Sequence, residues 1–277
     1  QVMMWGDHPT KDDVIAEKLR KDIILVDWRY ETDVREDVSE RLAAMGFDAV
    51  IASPSVACYS LRFHASKSAF ENVRKMTKFS HQHTYAGMIN TVWCPFRYYQ
   101  DAVLLGLAYG ASLAKSTYTT PEALCREFVQ KTLKLAPTPD LLKFLEMAPN
   151  VEISRFCAMK LFGQDIGEND AQTMREAAQI REIGAEILPL LPNLPRNDVL
   201  EAMSLAVQAS WLCAEALLLV ENADDLNRVK EYNNLLEDLK IRTNAYLPKG
   251  RFDYEPSQDP TQSHAHLVSI IKTLPSF

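Results

Sequence analysis

Residues 85–113 of this chain read YAGMINTVWCPFRYYQDAVLLGLAYGASL, and this stretch decides the fold class. Its first part, 87–92, is a short apolar run that leads into Trp93 and is broken at Pro95. From Ala102 onward, apolar and small residues follow a helical spacing. The pattern predicts a buried strand, then a loop that carries an aromatic residue, then a tightly packed helix.

Three earlier segments repeat this unit of strand and helix. The apolar runs lie at 2–5, 23–28 and 47–53, and helical patterns follow them at 12–21, 32–45 and 66–79. Near-continuous apolar strands that alternate with helices predict a parallel sheet, in a β/α barrel or a doubly wound fold. The sequence contains no GxGxxG or GxxxxGK[ST] motif, so it gives no support for a dinucleotide or phosphate site.

The second part of the chain lacks strand-like runs. Helical patterns lie at 121–135, 151–161, 170–190, 197–220 and 223–246, and another starts at Thr138 or Pro139. Helices of this number and length predict an all-α bundle. We therefore predict two domains, a β/α segment over 1–116 and an α-helical domain over 117–277.

Composition excludes several classes of function. The net charge of the 277-residue chain is -7, which argues against a nucleic-acid surface. No apolar run approaches the ~18 residues of a membrane span, and no signal peptide is visible, so the compartment stays unknown. The five cysteines form no CxxC motif and are predicted to be buried thiols. His64, His81 and His83 favour a solvated loop over a metal site, and we expect no metal and no cofactor.

Aromatic or polar residues fall at the carboxyl end of each predicted strand, where parallel sheets bind ligands. The candidate binding residues are Trp5, Asp7, Trp28, Tyr59, Trp93 and Arg97. A tryptophan offers a flat apolar face and one N–H donor, which suits the apolar face of a pyranose ring. The fourth tryptophan, Trp211, lies in a helical stripe and is predicted to be a core residue.

Three charged candidates have two readings each. Asp7 either binds a ligand hydroxyl or caps the helix that follows it. Asp27 either pairs with a nearby arginine or lysine or belongs to the site. Arg97 either faces the pocket or pairs with a carboxylate of the helical domain.

Four segments in order carry a family resemblance: MMWGD, ILVDWR, GFDAVIASPS and GMINTVWCPFRYYQDAVLLGLAYGA. In their order and spacing, they resemble the second half of the catalytic barrel of family 20 glycoside hydrolases, the β-N-acetylhexosaminidases. The resemblance covers roughly residues 1–115. It implies an α/β fold, the second half of a (β/α)8 TIM-type barrel, followed here by the all-α helical bundle.

The resemblance also implies a chemistry. Family enzymes are retaining and substrate-assisted, and their Asp-Glu pair lies on an earlier strand, which would be upstream of Gln1. No catalytic residue is therefore identified in this chain, which would supply the aromatic wall of a pocket for N-acetylhexosamine. Two positions depart from the family pattern: Pro95 stands where glutamate is usual, and Val56 where tyrosine is usual, so Tyr59 would have to replace that tyrosine.

Other functions stay open. The chain could be a carbohydrate-binding or scaffolding protein with a degenerate barrel, or another barrel glycosidase that uses Asp7 and Asp27. Half a barrel would expose backbone donors and acceptors at its open edges. We therefore expect completion of the sheet by an N-terminal half or by a second copy in a homo-oligomer.

Overall fold

The computed structural model of the protein describes residues 1–9, 11–57, 64–93, 99–115, 120–161, 163–221, 224–246, 271 and 274–277. Its contacts divide the chain into two compact units. The first consists of 1–58, 67–93 and 106–120, and the second of 59–66, 94–105 and 121–277. The first unit contains a parallel sheet with helices, and the second is helical where it is described.

All strand pairs of the first unit are parallel. The strands are β1 (Val2–Trp5), β2 (Ile23–Trp28), β3 (Ala49–Ser53), β4 (Ser55–Ala57), β5 (Gly87–Met88) and β6 (Thr91–Val92). One sheet has the order β1-β2-β3-β5, and β4 pairs with β6 in a second, two-stranded sheet. The predicted α/β class with a parallel sheet is therefore confirmed.

The segment 87–92 is not one strand, as the sequence predicted, but two. Strands β5 and β6 are separated by Ile89 and Asn90, and Pro54 separates β3 from β4 in the same way. The N–H and the hydroxyl of Thr91 both donate to the carbonyl of Pro54, at 2.8 and 2.9 Å. Proline has no N–H for a strand ladder, and the ladder resumes beyond it at Ser55, with a register shift between Ser55 and Ala57.

The helices of the first part of the chain are α1 (Asp13–Lys18), α2 (Glu36–Ala44), α3 (Lys67–Gln82) and α4 (Leu104–Ala114). Helix α2 begins four residues after Thr32, with Arg35 at its N-cap, so the predicted start at Thr32 is wrong. Its predicted end is confirmed, because Gly46 follows the helix with φ +71°, a conformation that favours glycine.

The two faces of the sheet differ in what covers them. Leu25 and Val50 pack with Leu42 of α2, so this face is buried against the helices. Side chains alternate along a strand, so Trp5 and Trp28 lie on the other face. Trp5 pairs in register with Val26, two residues before Trp28. The tryptophans therefore lie away from the buried helical layer.

The second unit contains a set of packed helices. They are α5 (Pro121–Glu127), α6 (Pro139–Met147), α7 (Arg155–Leu161), α8 (Asp170–Ile187), α9 (Asp198–Glu221) and α10 (Leu226–Tyr246). The predicted helix 121–135 changes after Glu127 to a π-helix over Phe128–Leu133. It ends at Lys134, whose φ of 57° is left-handed. The predicted last helix, near 263–274, falls almost wholly outside the described residues.

Helix α9 is the core of this unit and packs against α7, α8 and α10. Trp211 is only 7% exposed, which confirms its prediction as a core residue. Within the described ranges, α9 alone is long and apolar enough to cross a membrane, but 89% of that apolar window is buried, as in a core helix.

Cys125, Cys157 and Cys213 are buried free thiols, as predicted, whereas Cys58 and Cys94 lie outside the described residues.

Candidate functional site

The three predicted tryptophans lie at the carboxyl end of the sheet. Trp5 ends β1, Trp28 ends β2, and Trp93 directly follows β6. The rings of Trp5 and Trp93 are in contact, with centroids 5.7 Å apart and planes inclined by 53°. Two other predicted site residues, Tyr59 and Arg97, lie outside the described residues.

Tyr30 connects the remaining tryptophan to this pair. The Trp93 Nε1–H donates to the Tyr30 hydroxyl at 2.5 Å, and the Tyr30 ring lies 5.0 Å from the Trp28 ring. Trp5, Trp28, Tyr30 and Trp93 therefore form one connected group, here called the aromatic cluster. Tyr30 falls at a predicted strand end together with Trp28 but is not among the predicted binding residues. Its position two residues after Trp28, at the same strand end, was the signal that could have found it.

Two residues of the aromatic cluster are partly exposed. Trp5 is 43% exposed and Trp93 40% exposed, although both are large apolar side chains. Exposed indoles that contact each other at a strand end form a stacking surface, and aromatic contacts contribute ~0.5–1.5 kcal/mol beyond the area they bury. A flat molecule with apolar C–H groups and polar edges fits such a surface.

A buried ion pair supports the strand end below the aromatic cluster. Asp27 is fully buried. Its two carboxylate oxygens accept hydrogen bonds from Nε and Nη2 of Arg29, at 2.9 and 2.6 Å. The Tyr85 hydroxyl also donates to Asp27, at 3.0 Å. Of the two readings of Asp27, pairing with a nearby arginine is therefore confirmed. Burial, followed by the nearby Asp27 carboxylate, raises the pKa of Tyr85 far above its ordinary value, so Tyr85 is a neutral donor.

Asn72 of α3 fixes the loop that carries Tyr30. Its amide nitrogen donates to the carbonyls of Arg29 and Glu31, each at 2.8 Å, so the backbone is held on both sides of Tyr30. Its amide oxygen accepts from the Ser55 N–H at 3.1 Å. Because Asn72 is fully buried, these bonds join the core to the loop that bears the aromatic cluster.

Asp7 does not cap the following helix. The N-cap of α1 is Asp12, whose Oδ1 accepts from the N–H groups of Val14 and Ile15 at 2.9 and 3.2 Å. The capping reading of Asp7 is therefore wrong, because Asp12, five residues later, occupies the N-cap position. Its reading as a ligand for a hydroxyl stays a prediction.

His64 and His81 differ in their surroundings. His64 is buried, not solvated as expected, and its Nε2 lies 2.9 Å from the carbonyl oxygen of Ala148. Burial lowers the pKa of His64, which favours the neutral ring. His81, in contrast, lies on the exposed side of α3. Among the residues that the structure describes, no group of three or more His, Cys, Asp or Glu side chains could hold a metal ion.

No protein-family model matches this chain, and no curated protein matches it.

Proposed function

We propose that the aromatic cluster binds a terminal N-acetylhexosamine residue of a glycan, as the pocket wall of a glycoside hydrolase similar to the β-N-acetylhexosaminidases. One observation carries the proposal. Tryptophans from three strand ends meet in one partly exposed group, joined through Tyr30. Core tryptophans would be buried, as Trp211 is.

The chemistry of a pyranose fits this surface. Its axial C–H groups form an apolar face that stacks on an indole ring, and its hydroxyl and acetamido groups point outward to polar partners. In the proposed reaction, the acetamido carbonyl oxygen attacks the anomeric carbon, and a glutamic acid protonates the leaving oxygen. The Asp-Glu pair for this step is expected on a strand upstream of Gln1, and this chain contributes the wall that excludes water.

We also propose that the sheet is the second half of a (β/α)8 barrel. Its four strands are parallel and lie in the order expected of consecutive βα units. Parallel sheets are normally covered on both faces, but Met3 and Trp5 of the edge strand are 50% and 43% exposed on the face opposite α2. A further set of strands or a second copy would cover them.

A second candidate is a carbohydrate-binding protein without catalysis. Pro95, which stands where the family pattern has glutamate, favours it. The state of Asp27, which is fully buried and paired with Arg29, argues instead against a glycosidase that uses Asp7 and Asp27. A carboxylate held in this way cannot act as a general acid on a bound sugar.

The test replaces Trp93 by alanine in the 277-residue chain and measures the binding of N-acetylglucosamine by calorimetry. We expect affinity to fall about tenfold or more, because a stacking face is lost, while the melting temperature changes little. Ile241→Ala is the matched control, because Ile241 is 68% exposed on α10 in the second unit. If Trp93→Ala lowers the free energy of unfolding by as much as it lowers the free energy of binding, Trp93 is a structural residue and the proposal fails.

Release of nitrophenol from a chromogenic N-acetyl-β-glucosaminide separates the two candidates. Binding with hydrolysis supports the glycosidase. Binding without hydrolysis, in a protein that also contains the expected upstream Asp-Glu pair, supports the non-catalytic alternative.

A further inference from the structure

We propose that Tyr30 is a positioning residue of the aromatic cluster, whose hydroxyl fixes the Trp93 indole in the orientation that stacks on the sugar. This inference rests on the proposed function and adds a residue to the same site. It starts from the hydrogen bond of 2.5 Å between the Trp93 Nε1–H and the Tyr30 hydroxyl.

The hydrogen bond determines which part of Trp93 a ligand can contact. An indole has a single N–H donor and no acceptor. While Tyr30 accepts from that donor, Trp93 presents its ring faces to a ligand rather than its N–H. The Trp5 ring lies against it, at a centroid distance of 5.7 Å. Trp93 is therefore fixed at its polar edge by a hydroxyl and supported by a second indole.

Among the described residues, Trp93 lies where such a support has an effect. It is 40% exposed, and the strand before it, β6, has only two residues. An exposed side chain after so short a strand loses rotational freedom when it stacks on a ligand, and this loss weakens binding. A residue that orders the ring beforehand removes part of that cost.

Tyr30 is itself well placed to provide this order. Its ring packs on Trp28 at 5.0 Å, and Asn72 binds the carbonyls of the residues on either side of it. The chain of contacts therefore runs from the buried Asn72 in α3, through Tyr30, to Trp93. The first step acts through the backbone on either side of Tyr30, and the second is the direct hydrogen bond from Trp93 to the Tyr30 hydroxyl.

The experiment compares Tyr30→Phe, Trp93→Phe and the double variant of the 277-residue chain. Tyr30→Phe removes only the hydroxyl and keeps the ring that packs on Trp28. In the unaltered chain, the Trp93 indole N–H resonance, assigned with Trp93→Phe, is measured by NMR. Binding of N-acetylglucosamine is measured for every variant.

We expect Tyr30→Phe to move the Trp93 indole resonance upfield and to weaken binding about fivefold, the size of one typical hydrogen bond. In the double variant, the loss should be no greater than in Trp93→Phe alone, because the bond is already absent. Tyr85→Phe is the matched control: it removes a hydroxyl bonded to the buried Asp27. It should lower the melting temperature without moving the Trp93 resonance.

The outcomes distinguish this inference from the proposed function. An unmoved Trp93 resonance in Tyr30→Phe overturns the role of Tyr30, whatever the chain binds. A moved resonance with unchanged affinity also overturns it and leaves the proposed function intact. If the unaltered chain does not bind N-acetylglucosamine, the proposed function fails, and the positioning role for a sugar fails with it. Additive losses in the double variant contradict a direct coupling between the two residues.

Discussion

At the scale of single residues, the pairing of Asp27 with Arg29 decides what the strand end of β2 can do. Arg29 directly follows the strand, and its guanidinium group reaches the carboxylate of Asp27, two positions earlier. Asp27 is fully buried, and the Arg29 side chain is 13% exposed. A buried carboxylate with this partner has a structural role next to the aromatic cluster. Contacts with a ligand would come from other residues.

The first prediction concerns this pair. Arg29→Met leaves the buried Asp27 without its charged partner, and we expect a loss of about 3–5 kcal/mol in the free energy of unfolding. Urea unfolding followed by circular dichroism measures it. Arg35→Met is the matched control, because Arg35 pairs with Asp37 at an exposed site, where the two side chains are 74% and 58% exposed. Loss of this pair should change the free energy of unfolding little. Equal effects of both variants would contradict the structural role of Asp27.

The second prediction concerns alkaline pH. Burial raises the pKa of four tyrosines, Tyr85, Tyr99, Tyr232 and Tyr246, far above their ordinary value of 10. Above about pH 10, they keep their protons in the folded state but lose them when the chain unfolds. Their stabilising contribution is therefore complete below about pH 10 and is lost as the pH rises further.

Ultraviolet absorbance measures the ionisation of the phenols. We expect these four tyrosines to ionise only together with the loss of the helical circular dichroism signal. Ionisation of every tyrosine near pH 10 in a chain that stays folded would show that their hydroxyls are accessible.

At the scale of elements, the contact between α8 and α9 depends on a glycine. A Cβ added at Gly184 would lie 1.9 Å from Cδ1 of Trp211, so the two helices approach closely at this point. Glycine otherwise disfavours a helix interior. The close approach explains why it is tolerated here.

The third prediction follows from this contact. Gly184→Ala should lower the free energy of unfolding by about 1–3 kcal/mol, because overpacking outweighs the gain in helix propensity. Thermal unfolding measures it. Gly87→Ala is the control, since a Cβ there meets no heavy atom within 4 Å. A more stable Gly184→Ala variant would show that Trp211 can move aside without cost.

The sequence predicted the existence of these elements better than their ends. Apolar runs located β1, β2 and β3 because a strand buried in a parallel sheet needs continuous apolar residues. The division of 87–92 could not be predicted, because it depends on bonds from Thr91 to Pro54, 37 positions away. The π-helix after Glu127 likewise has no signal in the hydrophobic spacing.

For the candidate site, the positions of three tryptophans at strand ends could be predicted from the sequence. Contact between them could not. Trp5 and Trp93 are far apart in sequence, and their contact depends on how the fold of the first unit brings together the ends of β1 and β6, which belong to different sheets. The role of Tyr30 depends on a hydrogen bond to a residue 63 positions away. Spacing along the chain carries no information on such a partner.

At the scale of the whole molecule, the exposed apolar side chains of the first unit determine whether the chain associates. Edge strand β1 exposes Val2, Met3 and Trp5, and α1 exposes Val14 and Ile15. An unpaired edge strand with apolar side chains favours pairing with further strands.

The fourth prediction is that the 277-residue chain associates through this surface when no other segment covers it. Sedimentation velocity at rising concentration measures the association. Met3→Lys should weaken it strongly, because a charge would be buried in the contact. Ile241→Lys, at a more exposed position on α10, should have no effect. A monomer at all concentrations would contradict the prediction.

The most direct test of the central claim is an NMR titration of the 277-residue chain with N-acetylglucosamine, in which the indole N–H resonances of all four tryptophans are followed. We predict that the resonances of Trp5, Trp28 and Trp93 shift together in a saturable way, while that of the buried Trp211 does not move. Shifts confined to Trp211, or an absence of any saturable shift, would contradict the account of the aromatic cluster as a sugar-binding wall.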